Sequence, residues 1–253
     1  MILDMFSLKG KTAAVTGANT GLGQGIALAF AEAGAKVAVV GRSPMDETLG
    51  KIKSFGGDAF PIKADLADVA VCQRIVDETV GKFGGIDILV NNAGIIRRGD
   101  SIDFTEKDWD DVMNVNLKSL FFLSQAAARQ FVKQGQGGKI INIASLLSYQ
   151  GGIRIPSYTS AKSGVLGLTR LLANEWASKG ICVNGIAPGY MVTNNTEALR
   201  NDPIRYKAIL ERIPAGRWGQ PADLAGAAVF LASPASDYLH GFTIAVDGGW
   251  LGR

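Results

Sequence analysis

The chain has 253 residues, of which 47% are hydrophobic and 19% are charged, and its formal net charge is +3. This composition predicts a globular protein, and a small net charge without a basic stripe argues against nucleic-acid binding. No apolar run of about 18 residues occurs, which argues against a membrane-spanning segment.

Cysteine and histidine are scarce: Cys72, Cys182 and His240 are the only examples, and they lie far apart. We therefore expect neither a metal site nor a disulfide framework. The N-terminal residues lack a basic segment followed by a long apolar run, so no signal peptide is predicted. These observations favour a soluble cytoplasmic protein.

Short apolar strands alternate with helical patterns along the whole chain. Strands are predicted at residues 11–16, 36–40, 58–63, 86–90, 139–144, 181–187 and 242–246. Helices are predicted at 22–33, 45–55, 67–83, 106–134 with a break near Val115, from about Pro156 to about Ser178, and at 221–232. The alternation predicts an α/β fold with a parallel sheet covered by helices on both faces. No linker or repeat occurs, so we expect one domain over residues 1–253, with a loop-rich substrate segment at about 190–218.

A glycine-rich loop lies between the first strand and the first helix. It contains Gly17, Asn19, Thr20, Gly21, Leu22 and Gly23. Glycines at such a turn allow a pyrophosphate to approach the backbone, and the helix N-terminus offers free N–H groups to the anion. The spacing differs from the standard Gly-x-Gly-x-x-Gly fingerprint, but its position after the first strand predicts dinucleotide binding.

The residues after the second strand bear on which dinucleotide binds. An acidic residue there holds the ribose 2′-hydroxyl of NAD, whereas an arginine can accommodate the 2′-phosphate of NADP. Here Gly41 takes the place of the acid and Arg42 follows, which favours NADP. After the third and fourth strands, Asp65 and Leu66, and then Asn92, Ala93 and Gly94, are placed to contact the adenosine.

Tyr158 and Lys162 are four residues apart on a predicted helix, so they share one face. A free phenol has a pKa of about 10 and is a poor base at neutral pH. A nearby ammonium favours the phenolate and lowers that pKa, so the pair is a candidate proton-transfer device. Ser145 follows the fifth strand and Pro188 follows the sixth. Both residues therefore lie at the same edge of the predicted sheet, where the carboxyl ends of the strands meet.

Taken together, these motifs resemble the short-chain dehydrogenase/reductase family. The matching elements are Thr16-Gly17-x-x-x-Gly21-x-Gly23, Asn91-Asn92-Ala93-Gly94, Asn116, Ser145, Tyr158-x-x-x-Lys162, Pro188-Gly189 and Val246-Asp247-Gly248-Gly249. The resemblance implies a three-layer, doubly wound Rossmann-like fold with a seven-stranded parallel sheet, an NAD(P) cofactor and a homotetramer.

The resemblance also implies roles for individual residues. Tyr158 would be the general acid/base, and Lys162 would lower its pKa and hold the nicotinamide ribose. Ser145 would bind the substrate oxygen, and Asn116 would hold a water linked to Lys162. Pro188, Gly189 and Thr193 complete the expected cofactor contacts.

Four stretches are similar to family members that act on deoxy sugar acids, many of which use NAD. They are residues 91–98, 106–114, 150–158 and 187–196. Arg154 lies four residues before Tyr158, and its fork-shaped guanidinium suits a substrate carboxylate. Arg97 and Arg98 are weaker candidates for the same task, and Gln150 and Tyr190 are expected to contact substrate hydroxyls.

Two other functions stay open at this point. The general motifs also fit a 3-oxoacyl-carrier-protein reductase or another short-chain reductase. A non-catalytic dinucleotide-binding sensor on the same fold is a further alternative, although the joint presence of Asn116, Ser145, Tyr158 and Lys162 argues against it.

Overall fold

The computed structural model describes all 253 residues and contains a seven-stranded, all-parallel sheet. The strands are β1 (Thr12–Thr16), β2 (Lys36–Gly41), β3 (Ala59–Lys63), β4 (Ile88–Asn91), β5 (Gly138–Ile143), β6 (Ile181–Pro188) and β7 (Thr243–Val246). They lie in the order β3-β2-β1-β4-β5-β6-β7, so the predicted doubly wound fold is confirmed. The strands β2 and β3 lie on one side of β1, and β4 to β7 lie on the other side. Sheets of this kind bind ligands at the point where the strand order changes direction, which here is between β1 and β4.

Nine α-helices flank the sheet. They are α1 (Gly21–Glu32), α2 (Asp46–Ser54), α3 (Val71–Phe83), α4 (Glu106–Met113), α5 (Ser119–Gln134), α6 (Pro156–Trp176), α7 (Glu197–Arg200), α8 (Pro203–Arg212) and α9 (Ala225–Ala232). None of them is both long enough and apolar enough to cross a membrane.

The alternating side chains of each strand build two separate cores. On β1, Val15 packs into a cluster with Ile26 of α1 and Leu231 of α9, whereas Ala14 faces a cluster with Ile75 of α3 and Phe131 of α5. Because successive strand residues point to opposite faces, strands buried on both sides must be apolar throughout. That requirement explains the continuous apolar runs in the sequence.

Helix α3 is shorter than the sequence predicts. Helix α3 begins at Val71 and not at residue 67. The carboxylates of Asp65 and Asp68 accept hydrogen bonds from the backbone N–H groups of Ala67 and Ala70, at 3.0 and 2.9 Å. These local bonds hold residues 65–70 in turns that compete with a helix.

The segment predicted as loop-rich, residues 190–218, contains the ten-residue helix α8. Asp202 caps its N-terminus by accepting from the N–H groups of Ile204 and Arg205, and Pro203 occupies the first turn. An aspartate followed by proline is a recognisable helix start, so the sequence contained the information needed to find this helix.

Candidate active site

Loops from the carboxyl ends of β1, β4, β5 and β6 surround one cavity. Its lining includes Gly17, Asn19, Thr20, Gly21, Leu22, Asn92, Ala93, Gly94, Ser145, Tyr158, Lys162, Pro188, Gly189 and Thr193. An adjoining groove adds Arg42, Asp65 and Leu66. The structure therefore brings together all the predicted cofactor residues except Gly23, which is buried behind the loop.

The glycine loop is shaped for close backbone contacts. Gly17 and Gly21 have positive φ angles of 63° and 57°, which favour glycine. A Cβ at Gly23 would lie 2.3 Å from the carbonyl oxygen of Gly17, so any side chain there would push α1 away from the loop.

The N-terminus of α1 is available to a ligand. Its N-cap, Thr20, makes no side-chain capping hydrogen bond, so the first N–H groups of the helix lack a side-chain acceptor. No aspartate or glutamate lines the cavity, and Lys162 adds one positive charge. The uncapped helix end, the close-approach glycines and this charge balance fit the pyrophosphate of NAD(P).

Helix α6 positions Tyr158 and Lys162 one turn apart. Lys162 is buried, its Nζ donates to the Ile143 carbonyl at 2.6 Å, and it lies 5.7 Å from the centroid of the Tyr158 ring. An ammonium has three donors, so this single hydrogen bond leaves donors for a ligand in the cavity.

The loop after β5 is tied to the same helix. The Ser148 hydroxyl donates to the carbonyl of Lys162 at 2.6 Å, and the Ser145 hydroxyl accepts from the Leu147 N–H at 3.2 Å. These bonds set Ser145 beside Tyr158, and both hydroxyls line the cofactor cavity and a second cavity next to it.

Burial controls the proton affinities of the pair. It lowers the pKa of Lys162 from the usual 10.5 to about 8. Burial also raises the pKa of Tyr158, while a hydrogen bond with Ser145 and the positive charge of Arg98 act in the opposite direction. The net direction is upward because the desolvation of a phenolate outweighs these two effects, and the lowering by Lys162 that the resemblance implies stays a prediction.

Asn116 lies behind the loop that follows β4. It belongs to a π-helical segment, Asn114–Lys118, at the predicted break between α4 and α5. Its side-chain oxygen accepts from the N–H of Ile95 at 2.8 Å, and its amide donates to the carbonyl of Ile95 at 2.9 Å. The side chain thus holds this loop in place and does not line the cavity, and a water bound at Asn116 stays a prediction.

The groove for the adenosine contains an ion pair. A guanidinium nitrogen of Arg42 lies 3.7 Å from a carboxylate oxygen of Asp65, and the two side chains are 70% and 50% exposed. Such an exposed pair is weak, so Arg42 can exchange this partner for a phosphate. Gly41 faces Asn19, whose side-chain oxygen would lie 3.2 Å from a Cβ at this position.

The second cavity, of about 340 Å³, opens from Ser145 and Tyr158. Gln150 and Tyr190 line it, as expected for substrate contacts. Three arginines, Arg98, Arg205 and Arg212, also line it, and no aspartate or glutamate does.

Arg154 lies outside this cavity. Its guanidinium pairs with the carboxylate of Asp100 at 3.1 Å, and the two side chains are 64% and 66% exposed. Its φ is +61°, an uncommon value for a residue other than glycine. Because Arg154 is not among the residues that line the cavity, the structure does not assemble it with the other candidate substrate residues. Arg97 pairs with Asp108 and Asp111, both at 3.3 Å.

Trp250 is a cavity residue that the sequence analysis did not predict. It is buried, and its indole N–H donates to the Gln150 side chain at 3.2 Å. No local pattern indicates this contact, because the two residues are 100 positions apart in the chain.

Comparisons with known proteins agree with this geometry. A family model described as enoyl-(acyl carrier protein) reductase matches residues 17–251. A 2-dehydro-3-deoxy-D-gluconate 5-dehydrogenase of Dickeya dadantii is 62% identical over the full length of both chains. The crystal structure of a candidate 2-deoxy-D-gluconate 3-dehydrogenase from Agrobacterium tumefaciens with bound NADP is 62% identical and has a TM-score of 0.94, covering 99% of this chain and 100% of that one.

A more distant structure is similar over the whole chain as well. A gluconate 5-dehydrogenase from Burkholderia cenocepacia, in complex with NADP and tartrate, is 40% identical and has a TM-score of 0.94, with both chains fully covered.

Proposed function

Because the chain belongs to the short-chain dehydrogenase/reductase family, and is an NAD(P)-dependent oxidoreductase of CH–OH groups, we propose that its substrate is a deoxy sugar acid. The substrate would be of the 2-keto-3-deoxy-D-gluconate or 2-deoxy-D-gluconate type. The observation that carries this proposal is the cavity beside Ser145 and Tyr158, which is lined by three arginines and no carboxylate. An anionic polyol is attracted to such a lining, since guanidinium groups pair with carboxylates and hydroxyl oxygens accept from them.

Bound NAD(P) would supply or accept the hydride, and the chain supplies the groups that handle the oxygen and the proton. The hydroxyls of Ser145 and Tyr158 both face the cavity from adjoining segments. Together they polarise a substrate carbonyl, because hydrogen-bond donors aimed at the oxygen stabilise the negative charge that develops there.

Tyr158 transfers the proton. Burial raises its pKa, so the phenol is protonated at neutral pH and suited to donate a proton when a ketone is reduced. Arg98 and Ser145 counteract that rise and ease the reverse transfer, in which the phenolate accepts a proton from the alcohol. Lys162 lines the cofactor cavity from the next turn of α6, where its remaining N–H donors are placed to hold the ribose.

We also propose NADP as the preferred form of the cofactor. Arg42 and Ser43 line the groove proposed for the adenosine, and Gly41 stands at the end of β2, where an acidic residue would hold a free ribose 2′-hydroxyl. Asp65 competes with the 2′-phosphate for Arg42, so we expect NAD to be accepted as well. The bound NADP of two similar structures supports the preference.

A homotetramer in the cytoplasm is the assembly and location that we propose. Apolar side chains on α4, α5 and α6 support the assembly, since Trp109, Val132 and Leu171 are 38%, 54% and 47% exposed. Burying these side chains against other subunits would remove apolar surface from water. Light scattering of the purified protein gives the mass, and a monomer would contradict the proposal.

The substrate proposal is tested by following NADPH and NADH oxidation with 2-keto-3-deoxy-sugar acids, with an acetoacetyl thioester and without substrate. We expect turnover with a sugar acid at a far higher kcat/KM than with the thioester. The opposite ranking would identify an acyl-thioester reductase, and cofactor binding without any turnover would identify a sensor.

A further inference from the structure

Helix α8 presents two arginines to the substrate cavity. Arg205 and Arg212 are seven residues apart, which is about two turns, so they lie on the same face of the helix. Both line the cavity. Between them, the buried Ile209 packs with Trp218 and Trp250, which attaches the helix to the rest of the site.

Neither guanidinium has an acidic partner. The hydrogen bonds of Arg205 and Arg212 involve only their backbone atoms, and the cavity that their side chains line contains no aspartate or glutamate. By contrast, Arg217 in the loop after α8 forms two short hydrogen bonds with Asp223, at 2.7 and 2.8 Å. The absence of a carboxylate around Arg205 and Arg212 leaves their N–H groups available to an anion.

The C-terminus of the chain holds Arg212 in position. The guanidinium carbon of Arg212 lies 4.2 Å from the centroid of the Trp250 ring, a distance typical of a cation–π contact. Arg253 donates to the carbonyls of Glu211 and Arg212 at the end of α8, at 3.3 and 3.2 Å. A guanidinium that lies over a ring face keeps its N–H groups, which point outward in its own plane, free to bind a carboxylate.

The positive charges occupy two different parts of the cavity. Arg98 opposes the rise in the pKa of Tyr158 that burial causes, and Arg205 and Arg212 oppose the same effect at Tyr190. The Trp250 ring that Arg212 contacts has its centroid 4.7 Å from that of the Tyr190 ring. An anion bound by Arg205 and Arg212 therefore lies near Tyr190. A sugar acid held there would present to Tyr158 a carbon removed from its carboxylate.

We propose that Arg205 and Arg212 bind the carboxylate of the substrate and that Trp250 acts as a positioning residue for Arg212. This assignment rests on the proposed function, because it requires a sugar-acid substrate. It makes the two arginines the residues that select an acid over a neutral polyol or ketone. The residues that bind the carboxylate are therefore on the segment between β6 and α9, and not on the loop that carries Arg154.

The test replaces each guanidinium by a shorter, neutral amide, in Arg205→Gln and Arg212→Gln. Lys207→Gln is the matched control, because it removes a positive charge from the same helix. The side chain of Lys207 is 77% exposed, and its ammonium nitrogen lies 3.8 Å from a carboxylate oxygen of Glu211. Loss of a charge-assisted hydrogen bond should raise KM for a sugar acid roughly 10- to 100-fold. The kcat should change little, and kcat/KM for a neutral ketone should stay the same.

Arg154→Gln serves as a second control, since it removes an arginine near the site but outside the cavity. Arg205→Lys should recover part of the affinity, because it restores the charge without the fork. Equal losses for the acid and the neutral ketone, or an equal effect of Lys207→Gln, would overturn the assignment.

A binding measurement separates this proposal from the proposed function. D-gluconate and D-glucitol, which differ in the carboxylate, are added to the NADP-loaded protein and the shift in Tm is recorded. We expect gluconate to stabilise the wild type and Lys207→Gln but not Arg205→Gln or Arg212→Gln, and glucitol to have no such pattern. Equal stabilisation of all variants would overturn the assignment of Arg205 and Arg212. The expected pattern with gluconate, together with no turnover of any sugar acid, would instead overturn the proposed function and leave the two arginines as a carboxylate-binding site.

Discussion

Replacing Lys162 by methionine removes a buried charge at nearly constant side-chain length. Burial lowers the pKa of Lys162 from the usual 10.5 to about 8. At about 1.4 kcal/mol for each pH unit, this difference means that the buried ammonium costs the folded state about 3 kcal/mol at pH 7. Its hydrogen bond to the Ile143 carbonyl contributes about 1 kcal/mol in return, so the variant should be more stable than the wild type at pH 7, and inactive.

The pH dependence has a definite sign. Because the pKa of Lys162 is lower in the folded than in the unfolded state, the unfolded chain binds more protons between pH 8 and 10.5. The free energy of unfolding of the wild type therefore rises with pH across this window, and the destabilising effect of Lys162 is complete only below about pH 8. The methionine variant lacks this contribution at every pH.

Thermal unfolding of the ligand-free proteins from pH 7 to 10.5 measures the effect. We expect the stability difference between Lys162→Met and the wild type to change over this range by about 3 kcal/mol in favour of the wild type, or roughly 6–12 °C in Tm. The exposed Lys179, replaced in the same way, controls for the loss of one lysine. A difference between wild type and Lys162→Met that stays constant over the whole range would refute the reasoning, because the buried ammonium would then not be the cause.

Three further substitutions examine the rest of the site. Tyr158→Phe removes the proton donor and should lower kcat by roughly 100-fold or more, with cofactor affinity retained; near wild-type turnover would contradict the assignment. Gly23→Ala places a Cβ 2.3 Å from the carbonyl oxygen of Gly17 and should abolish NADP binding in a fluorescence titration. The control is Gly81→Ala in α3, where a Cβ meets open space. This variant should bind NADP normally and gain about 1 kcal/mol of stability, because alanine favours a helix more than glycine does. Arg42→Ala should lower the affinity for NADP relative to NAD by roughly 10-fold, read from Kd values, and an unchanged ratio would exclude Arg42 as a phosphate ligand.

Features that depend on neighbours along the chain were accessible from the sequence. The apolar strands, the glycine loop after β1 and the four-residue spacing of Tyr158 and Lys162 are all local, and they predicted a doubly wound sheet with its polar residues at one edge. The periodicities of strands and helices follow from backbone geometry alone, so a pattern of residues is enough to identify them. Helix α8 was accessible in the same way, through its aspartate cap and following proline.

Features that depend on distant partners were decided by the tertiary structure. Arg154 is close to Tyr158 in sequence, yet it lies outside the cavity and pairs with Asp100, whereas Arg205 and Arg212 line the cavity from α8. Trp250 meets Gln150 from the other end of the chain. The direction of the pKa shift of Tyr158 was decided in the same way, because desolvation depends on every atom packed around the phenol. Sequence spacing determines which residues share a face, but charge pairing and burial arise only when separate segments meet in the folded chain.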